Sequence, residues 1–306
     1  VRALVTGAAG FVGAHLVARL RAEGWSVVGT VRPGSSRARL HALAGANALE
    51  VLEVDLAQPR AAAEAAARAE ADVAFLLAAA RAAATPAERA ASATVNALSP
   101  LFVIDGLAER CRVVVRLGSS TEYAAADGPM SETAELAPRG FFGATKAAGS
   151  HVVAAAAALR GVRSVILRAF QVYGPYDHPD RLVPTALAAA RTGAPLHLTA
   201  PGRRRDWVYV DDVVEACVAA ALADHLPAGL VLNIGTGRET ANEELADEIA
   251  RVTGRRLDVR VGSHPGREWD APSWLCDPTR AREMLGWEAK VPLDEGLVRC
   301  WEHVQG

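Results

Sequence analysis

The chain has 306 residues and a formal net charge of -2 without a basic block, which excludes an electrostatic footprint for nucleic acid or an anionic membrane surface. Hydrophobic residues make up 51%, much of it alanine, yet no apolar run approaches the ~20 residues needed to span a bilayer. That length is long for one compact domain and short for two large ones, so a core domain with a smaller appended lobe is expected.

The chain opens directly on the strand-like VRALV, which leaves no room for a leader segment before the fold, and a cytoplasmic protein with small-molecule partners is expected. RALV, SVVGTV, LEVLEV and DVAFLL read as β-strands, separated by helices from Phe11, near Arg37 and from Pro59. A helical stretch from Glu88 to Ala108, the strand RVVVRLGS, a helix from Phe142 to Leu159 and the strand SVILRAF follow. This alternation predicts an α/β fold, a Rossmann doubly wound parallel sheet of six or seven strands. After Tyr173 the rhythm loosens into Pro- and Gly-rich punctuation, which divides the chain into residues 1–172 and a smaller C-terminal lobe, 173–306. DDVVEACVAAAL and LVLNI are regular enough to return to the main sheet. Alanine tracts such as Ala61 to Ala67 read as helix surface or close packing, because alanine has the best helix propensity. Cys111, Cys217, Cys276 and Cys300 lack zinc-like or redox-like spacing and read as buried thiols, with no metal implied.

The segment TGAAGFVG lies between the first strand and a helix, with Gly7, Gly10 and Gly13 in a G-x-x-G-x-x-G pattern. Glycine there lets the chain turn tightly and lets backbone approach a pyrophosphate, which the free N–H groups at the helix start would hold. Ala9, Phe11 and Val12 supply the neighbouring backbone, and Ala78 stands at the end of the fourth strand. An NAD enzyme usually places an acid at the end of the second strand, whereas this chain reads VRPGSSRARL. Arg32, Ser35, Ser36 and Arg37 suit the 2′-phosphate of NADPH/NADP, the alternative being a solvated basic loop. Asp55 and Leu56, after the third strand, would hold and cover the adenine, although an Asp at a strand end also serves as a helix cap.

TGAAGFVG, VDL at Val54 to Leu56, Asn96, GSSTEY at Gly118 to Tyr123, FGATK at Phe142 to Lys146, VYGP at Val172 to Pro175 and RDWVYVDD at Arg205 to Asp212 occur in order. Together they resemble the extended short-chain dehydrogenase/reductases, the NAD-dependent epimerase/dehydratase group. The resemblance implies a reaction centre of Ser or Thr with Tyr-x-x-x-Lys: Ser119 fits the hydroxyl, with Ser120 next, and Lys146 fits the lysine that holds the nicotinamide ribose. The tyrosine position is Phe142, whose ring has no proton to give, and Phe141 offers no replacement. Ser120 and Thr121 stand where dehydratases of the family carry acids, which disfavours dehydration; Glu122 is one residue out of that register. Gln171 replaces the family's Asn before VYGP. Arg205 and Arg267 fit phosphate-contacting positions, with surface salt bridges as the other use for them.

The missing tyrosine admits an engineered substitution, a dead enzyme used as a binding module, or a reductase with another proton source. The third resembles the atypical extended short-chain ketoreductases of angucyclinone-type polyketides in antibiotic biosynthesis, such as that of the simocyclinone pathway. The expectation is therefore an NADPH-dependent ketoreductase whose aromatic substrate stabilises its own alkoxide through a neighbouring phenol. Tyr123, Phe142, Phe170, Gln171, Tyr176 and Trp207 would then face the substrate, or pack in the core. The alternative is an NDP-4-keto-6-deoxysugar reductase or epimerase, and a third class is a catalytically silent NADP-binding regulator.

Overall fold

The computed structural model describes residues 1–45, 49–81, 85–266 and 271–305. Its elements begin β1 Arg2–Thr6, α1 Phe11–Ala22, β2 Ser26–Val31, α2 Ala38–Ala44, β3 Glu50–Glu53, α3 Pro59–Ala69, β4 Val73–Leu76, α4 Pro86–Ala93, α5 Ser99–Gly106 and β5 Val113–Ser119. Next come β6 Pro129–Met130, α6 Phe141–Leu159, β7 Arg163–Ala169, β8 Gln171–Tyr173, α7 Leu182–Thr192, β9 Leu196–His197, β10 Arg204–Arg205, β11 Trp207–Tyr209 and α8 Val210–Leu222. The chain ends with β12 Leu230–Ile234, β13 Thr240–Ala241, α9 Asn242–Thr253, β14 Val259–Arg260, β15 Ser273–Cys276, α10 Thr279–Leu285 and α11 Leu293–Gln305.

Two compact units result. The first holds Val1–Glu122, Gly140–Arg168 and Val214–Leu232, and the second holds Tyr123–Arg139, Ala169–Val213 and Asn233–Gly306. The chain passes between the units more than once, so neither unit is one continuous stretch of chain.

The first unit is built on a seven-stranded sheet in the order β12-β7-β5-β4-β1-β2-β3, with parallel pairing from β3 across to β5. This is the doubly wound α/β Rossmann arrangement expected from the strand rhythm, and LVLNI does return to it as an edge strand. The order reverses between β1 and β4, so the crevice at their carboxyl ends is where such sheets take ligands. Thr6 closes that end: its Oγ1 accepts from the Leu77 and Ala78 N–H groups at 3.1 and 3.2 Å.

Alanine content sets the packing on one face. Ala62, Ala65, Ala66 and Ala69 of α3 are buried, and α3 lies so close to α5 that a Cβ on Gly106 would sit 2.1 Å from the Ala63 carbonyl oxygen. The alanine tract is thus both helix former and spacer. Pro59 opens α3, where its missing N–H costs nothing, and Thr85 with Glu88 forms a capping box at the start of α4. The segment 86–106 is not one helix as its pattern suggested: a π-helical turn, Thr94–Leu98, separates α4 from α5.

The second unit carries a small sheet ordered β13-β10-β15-β6 and the parallel pairs β8 with β11 and β9 with β14. Its polar keystone is Asp206, fully buried, whose carboxylate accepts from the N–H groups of Thr236, Gly237 and Cys276 and from the Thr236 hydroxyl. All four cysteines are buried free thiols. Among the described residues no helix is long and apolar enough to cross a membrane.

Candidate active site

The glycine loop is built for close backbone contact. Gly7 has φ of +71°, and a Cβ there would lie 2.8 Å from Ala78 Cα; a Cβ on Gly13 would lie 2.2 Å from the Gly7 carbonyl oxygen. Any side chain at either place drives atoms into backbone. Gly10 is the N-cap of α1, no side chain caps that end, and its first turn carries no acid, which leaves the positive end of the helix dipole available to an anion. Ala8, Ala9, Phe11 and Val12 complete the loop. These features fit the pyrophosphate of a dinucleotide.

Asp55 accepts through Oδ1 from the Ala57 N–H at 3.0 Å, so it orders its own turn, and Leu56 is buried beside it. The basic loop after β2 is less free than its sequence implied. Arg37 is ion-paired with Glu53 at the end of β3, and the Ser35 hydroxyl donates to the Arg32 carbonyl at 2.6 Å. Arg32 itself is exposed. Arg39, which the sequence reading passed over, donates to the Ala9 carbonyl on the glycine loop at 3.1 Å.

The reaction-centre positions gather where β5 meets α6. Ser119 ends β5; its hydroxyl is 2.8 Å from that of Thr121, and its Oγ accepts from the Thr121 N–H at 3.2 Å. Phe142 is half-buried in the first turn of α6. One turn later, on the same helix face, Lys146 is buried and donates from Nζ to the Leu117 carbonyl at 2.5 Å. Burial and the nearby Arg116 cation push the Lys146 ammonium down to about 7, against a smaller opposing pull from Glu122.

Asn96 organises the second side of this centre. It sits in the π-helical turn, and its amide exchanges two 2.8 Å hydrogen bonds with the backbone of Ala80. Its Nδ2 also donates to the Thr145 hydroxyl at 2.9 Å, and Thr145 in turn donates to the Phe142 carbonyl. A π-helical turn is a feature common at functional sites. Thr145 and Arg116 were missed in the sequence. The signal for Arg116 was legible: one arginine between Val113–Val115 and Leu117 inside the strand VVVRLGS.

Glu122 lies in the short 3-10 turn that follows β5. It is fully buried, paired with Arg168 at 2.9 Å and bonded to Ser150 and to the Ser119 N–H. Ser120 is buried beside it.

The residues expected to face substrate from the second unit behave differently. Tyr123 and Phe170 are core residues packed with Met130, Trp274 and Cys276, and the Tyr123 hydroxyl donates to Asn233 Oδ1 at 2.7 Å. Trp207 is buried edge-on against Tyr173. It also lines a cavity of about 590 Å³ with Thr236, Arg238 and Lys290, a cavity that Tyr123, Phe170, Gln171 and Tyr176 do not line. Tyr176, at φ of +64°, lies against His303 with ring centroids 4.0 Å apart and the planes tilted by 46°, and Gln171 is half-buried on β8. The aromatic set is therefore divided between core packing, for Tyr123, Phe170 and Trp207, and the half-buried positions of Phe142 and Tyr176. Arg205 donates to the carbonyls of Arg204 and Ala271. Arg267 lies outside the described residues.

The model of the NAD dependent epimerase/dehydratase family matches residues 3–235. A UDP-glucose 4-epimerase of Mycolicibacterium smegmatis is 32% identical, over 99% of this chain and 98% of that protein. A dTDP-glucose 4,6-dehydratase of Streptomyces niveus is 31% identical, over 58% of this chain and 52% of that protein. Among solved structures, MoeE5 in complex with UDP-glucuronic acid and NAD is 31% identical, with a TM-score of 0.86 over 100% of this chain and 99% of that one. These relatives carry the family part of the resemblance seen in the motifs and give no support to its angucyclinone-ketoreductase part. The chain belongs to the NAD dependent epimerase/dehydratase family, the extended short-chain dehydrogenase/reductase type that its motifs resemble.

Proposed function

We propose that this protein moves hydride at a secondary alcohol or ketone carbon of a nucleotide-linked sugar, using a nicotinamide dinucleotide held on the glycine loop. The observation that carries the reading is the end-to-end match to a UDP-glucose 4-epimerase, which takes in the second unit as well as the dinucleotide half. A dehydratase is less well supported: the dTDP-glucose 4,6-dehydratase match spans only 58% of the chain, and Ser120 and Thr121 provide no acid beside Ser119.

When bound, the dinucleotide supplies the hydride acceptor or donor. The chain's own residues would orient it: backbone N–H groups at Phe11 and Val12 toward the phosphates, Asp55 toward the adenosine side, and Lys146 toward the nicotinamide ribose. Ser119 would polarise the substrate oxygen. For the dinucleotide we infer NADP(H), since Arg32 stands exposed at the end of β2 and no carboxylate occupies that turn. The preference is expected to be modest, because Arg37 is already neutralised by Glu53.

A second reading rests on Phe142. A site without the tyrosine proton donor suits a hydroxylated aromatic ketone that stabilises its own alkoxide, which is the polyketide ketoreductase expectation. One experiment separates the readings: calorimetric titration with UDP-glucose, UDP-glucuronic acid and a dTDP-4-keto-sugar, followed by turnover with NADP(H) or NAD(H) monitored by nicotinamide absorbance. Saturable binding with hydride transfer is the expected result. Absence of sugar-nucleotide binding together with NADPH oxidation by an ortho-hydroxy aryl ketone would overturn it in favour of the polyketide reading. Dinucleotide binding with neither activity would indicate the silent regulator.

A further inference from the structure

We propose that Lys146 carries the proton in this site in place of a residue at position 142, and that Arg116 is the positioning residue that enables it. The proposal rests on the hydride-transfer reading above.

Four charged side chains are buried together in the first unit: Arg116, Glu122, Lys146 and Arg168. Three are cationic types and one is a carboxylate. That carboxylate is committed, with Arg168 Nε at 2.9 Å on Oε2 and the Ser119 N–H and Ser150 hydroxyl at 2.9 and 3.1 Å on Oε1. Lys146 Nζ has the Leu117 carbonyl, and among the described residues no carboxylate pairs with it. A buried amine with a dipole for a partner and a cation for a neighbour sheds its proton far more readily than one in water.

Arg116 is built into this arrangement. Its Nη2 donates to the Asn96 carbonyl at 2.9 Å and to the Lys146 carbonyl at 3.3 Å, joining the π-helical turn to α6 behind the lysine. Room for it exists because position 149 is glycine: a Cβ there would sit 2.3 Å from Arg116 Nη2 and 2.1 Å from the Asn96 carbonyl oxygen. The elements packed against α6 bring few other charges. Besides Arg116 on β5 and Glu122 in the turn after it, α5 offers Asp105, which is exposed, and the π-helical turn offers none. Arg168 on β7 faces Glu122, and His151 on α6 itself is exposed.

An ammonium beside a tyrosine is useful because it stabilises the tyrosinate. With a phenyl ring at 142 that use is gone, and a lysine that exchanges its proton near neutrality can do the work itself. In the oxidising direction the substrate O–H bond breaks and its proton goes to Lys146 Nζ. The oxygen's electron pair would then form the C=O bond as the carbon's hydrogen departed with its electron pair, the hydride-accepting chemistry that a dinucleotide held on the glycine loop would supply. In the reverse direction the Lys146 ammonium would protonate the alkoxide left once hydride had been delivered to the carbonyl carbon.

The chain contains only two lysines, Lys146 and Lys290, which makes the test direct. Full-length protein labelled with 13C at lysine Cε, free of cofactor and substrate, gives two resonances, assigned by Lys290→Arg. The expected result is a Lys146 titration with its midpoint at about 7. Arg116→Met should raise that midpoint by about one pH unit or more, a tenfold change in proton affinity, whereas Arg116→Lys should largely preserve it. A wild-type midpoint above about 9 would overturn the proposal for Lys146. An unmoved midpoint in Arg116→Met would overturn it for Arg116, and should that variant not fold, Arg116→Gln reads the same shift. With a turning-over substrate, the pH profile of kcat/KM should follow the Lys146 midpoint in each variant. Failure of all sugar nucleotides to react would sink the functional reading while leaving the titration to decide on the lysine; turnover with a high midpoint would sink the lysine alone.

Discussion

Arg168 Nε donates to Glu122 Oε2 at 2.9 Å, with both side chains shut away from water. The pair joins the turn after β5 to β7 beside Ser119, whose N–H donates to Glu122 Oε1, so this acid serves as a structural anchor. Removing a single partner leaves a buried charge uncompensated. Glu122→Leu is therefore expected to destabilise the fold by about 3–5 kcal/mol, measured by urea unfolding. A loss below about 1 kcal/mol, the range of a solvent-exposed pair, would show that water reaches the site.

Phe142→Tyr places a phenol one helical turn before Lys146. With a sugar nucleotide that the wild-type protein accepts, turnover is expected to rise by roughly ten- to a hundredfold with little change in substrate affinity. Steady-state kinetics with the two proteins side by side checks this. If the substrate instead supplies its own hydrogen bond, the added hydroxyl should leave kcat unchanged.

Arg37 spends its charge on Glu53, and a carboxylate that close is unfavourable to a 2′-phosphate. Glu53→Gln should free the guanidinium and increase the NADPH over NADH affinity ratio several-fold, while Arg32→Ala should reduce it. Fluorescence titration of the two reduced dinucleotides gives the ratio. Parallel changes for both cofactors would mean that the loop after β2 does not read the phosphate.

Gly13→Ala would bring a methyl group within 2.2 Å of the Gly7 carbonyl oxygen, in backbone that has no room to yield. The expected outcome is a stability loss of at least about 1–3 kcal/mol, as for overpacked cores, together with loss of dinucleotide binding. Thermal unfolding with and without dinucleotide measures both. Gly34→Ala, with open space around its Cβ but φ of +74°, should cost stability without abolishing binding.

Lys146 also makes stability depend on pH in a defined direction. Its folded-state midpoint at about 7 lies below the 10.5 of a free lysine, so between these values the unfolded chain binds more protons than the folded one. Stability from this group therefore rises as pH increases from 7 toward 10 and is lost as pH falls back, by up to about 1.4 kcal/mol per pH unit. Comparing Lys146→Met with wild type between pH 7 and 9 isolates the effect from the buried thiols and tyrosines. Equal slopes for the two proteins would place Lys146 in a better solvated setting.

The sequence alone determined what depends on local backbone geometry. β-branched runs alternating with alanine-rich helices dictate a parallel doubly wound sheet, Gly7, Gly10 and Gly13 dictate the tight turn, and the spacing of Phe142 and Lys146 puts them on one helix face whatever surrounds them. Tertiary structure decided the partners that each polar or aromatic side chain found. Arg37 meets Glu53 only because β2 and β3 are neighbours, and Glu122 meets Arg168 only because β5 and β7 are. Trp207, Phe170 and Tyr123 entered a core that no single segment contains. Arg116 is a β5 residue whose surroundings, the π turn at Asn96 and the bare backbone at Gly149, come from elsewhere in the chain. Spacing along a helix or strand is fixed by short-range geometry, whereas burial and ion pairing depend on elements far apart in the chain, and the same side chain can be ligand, anchor or core according to what packs against it.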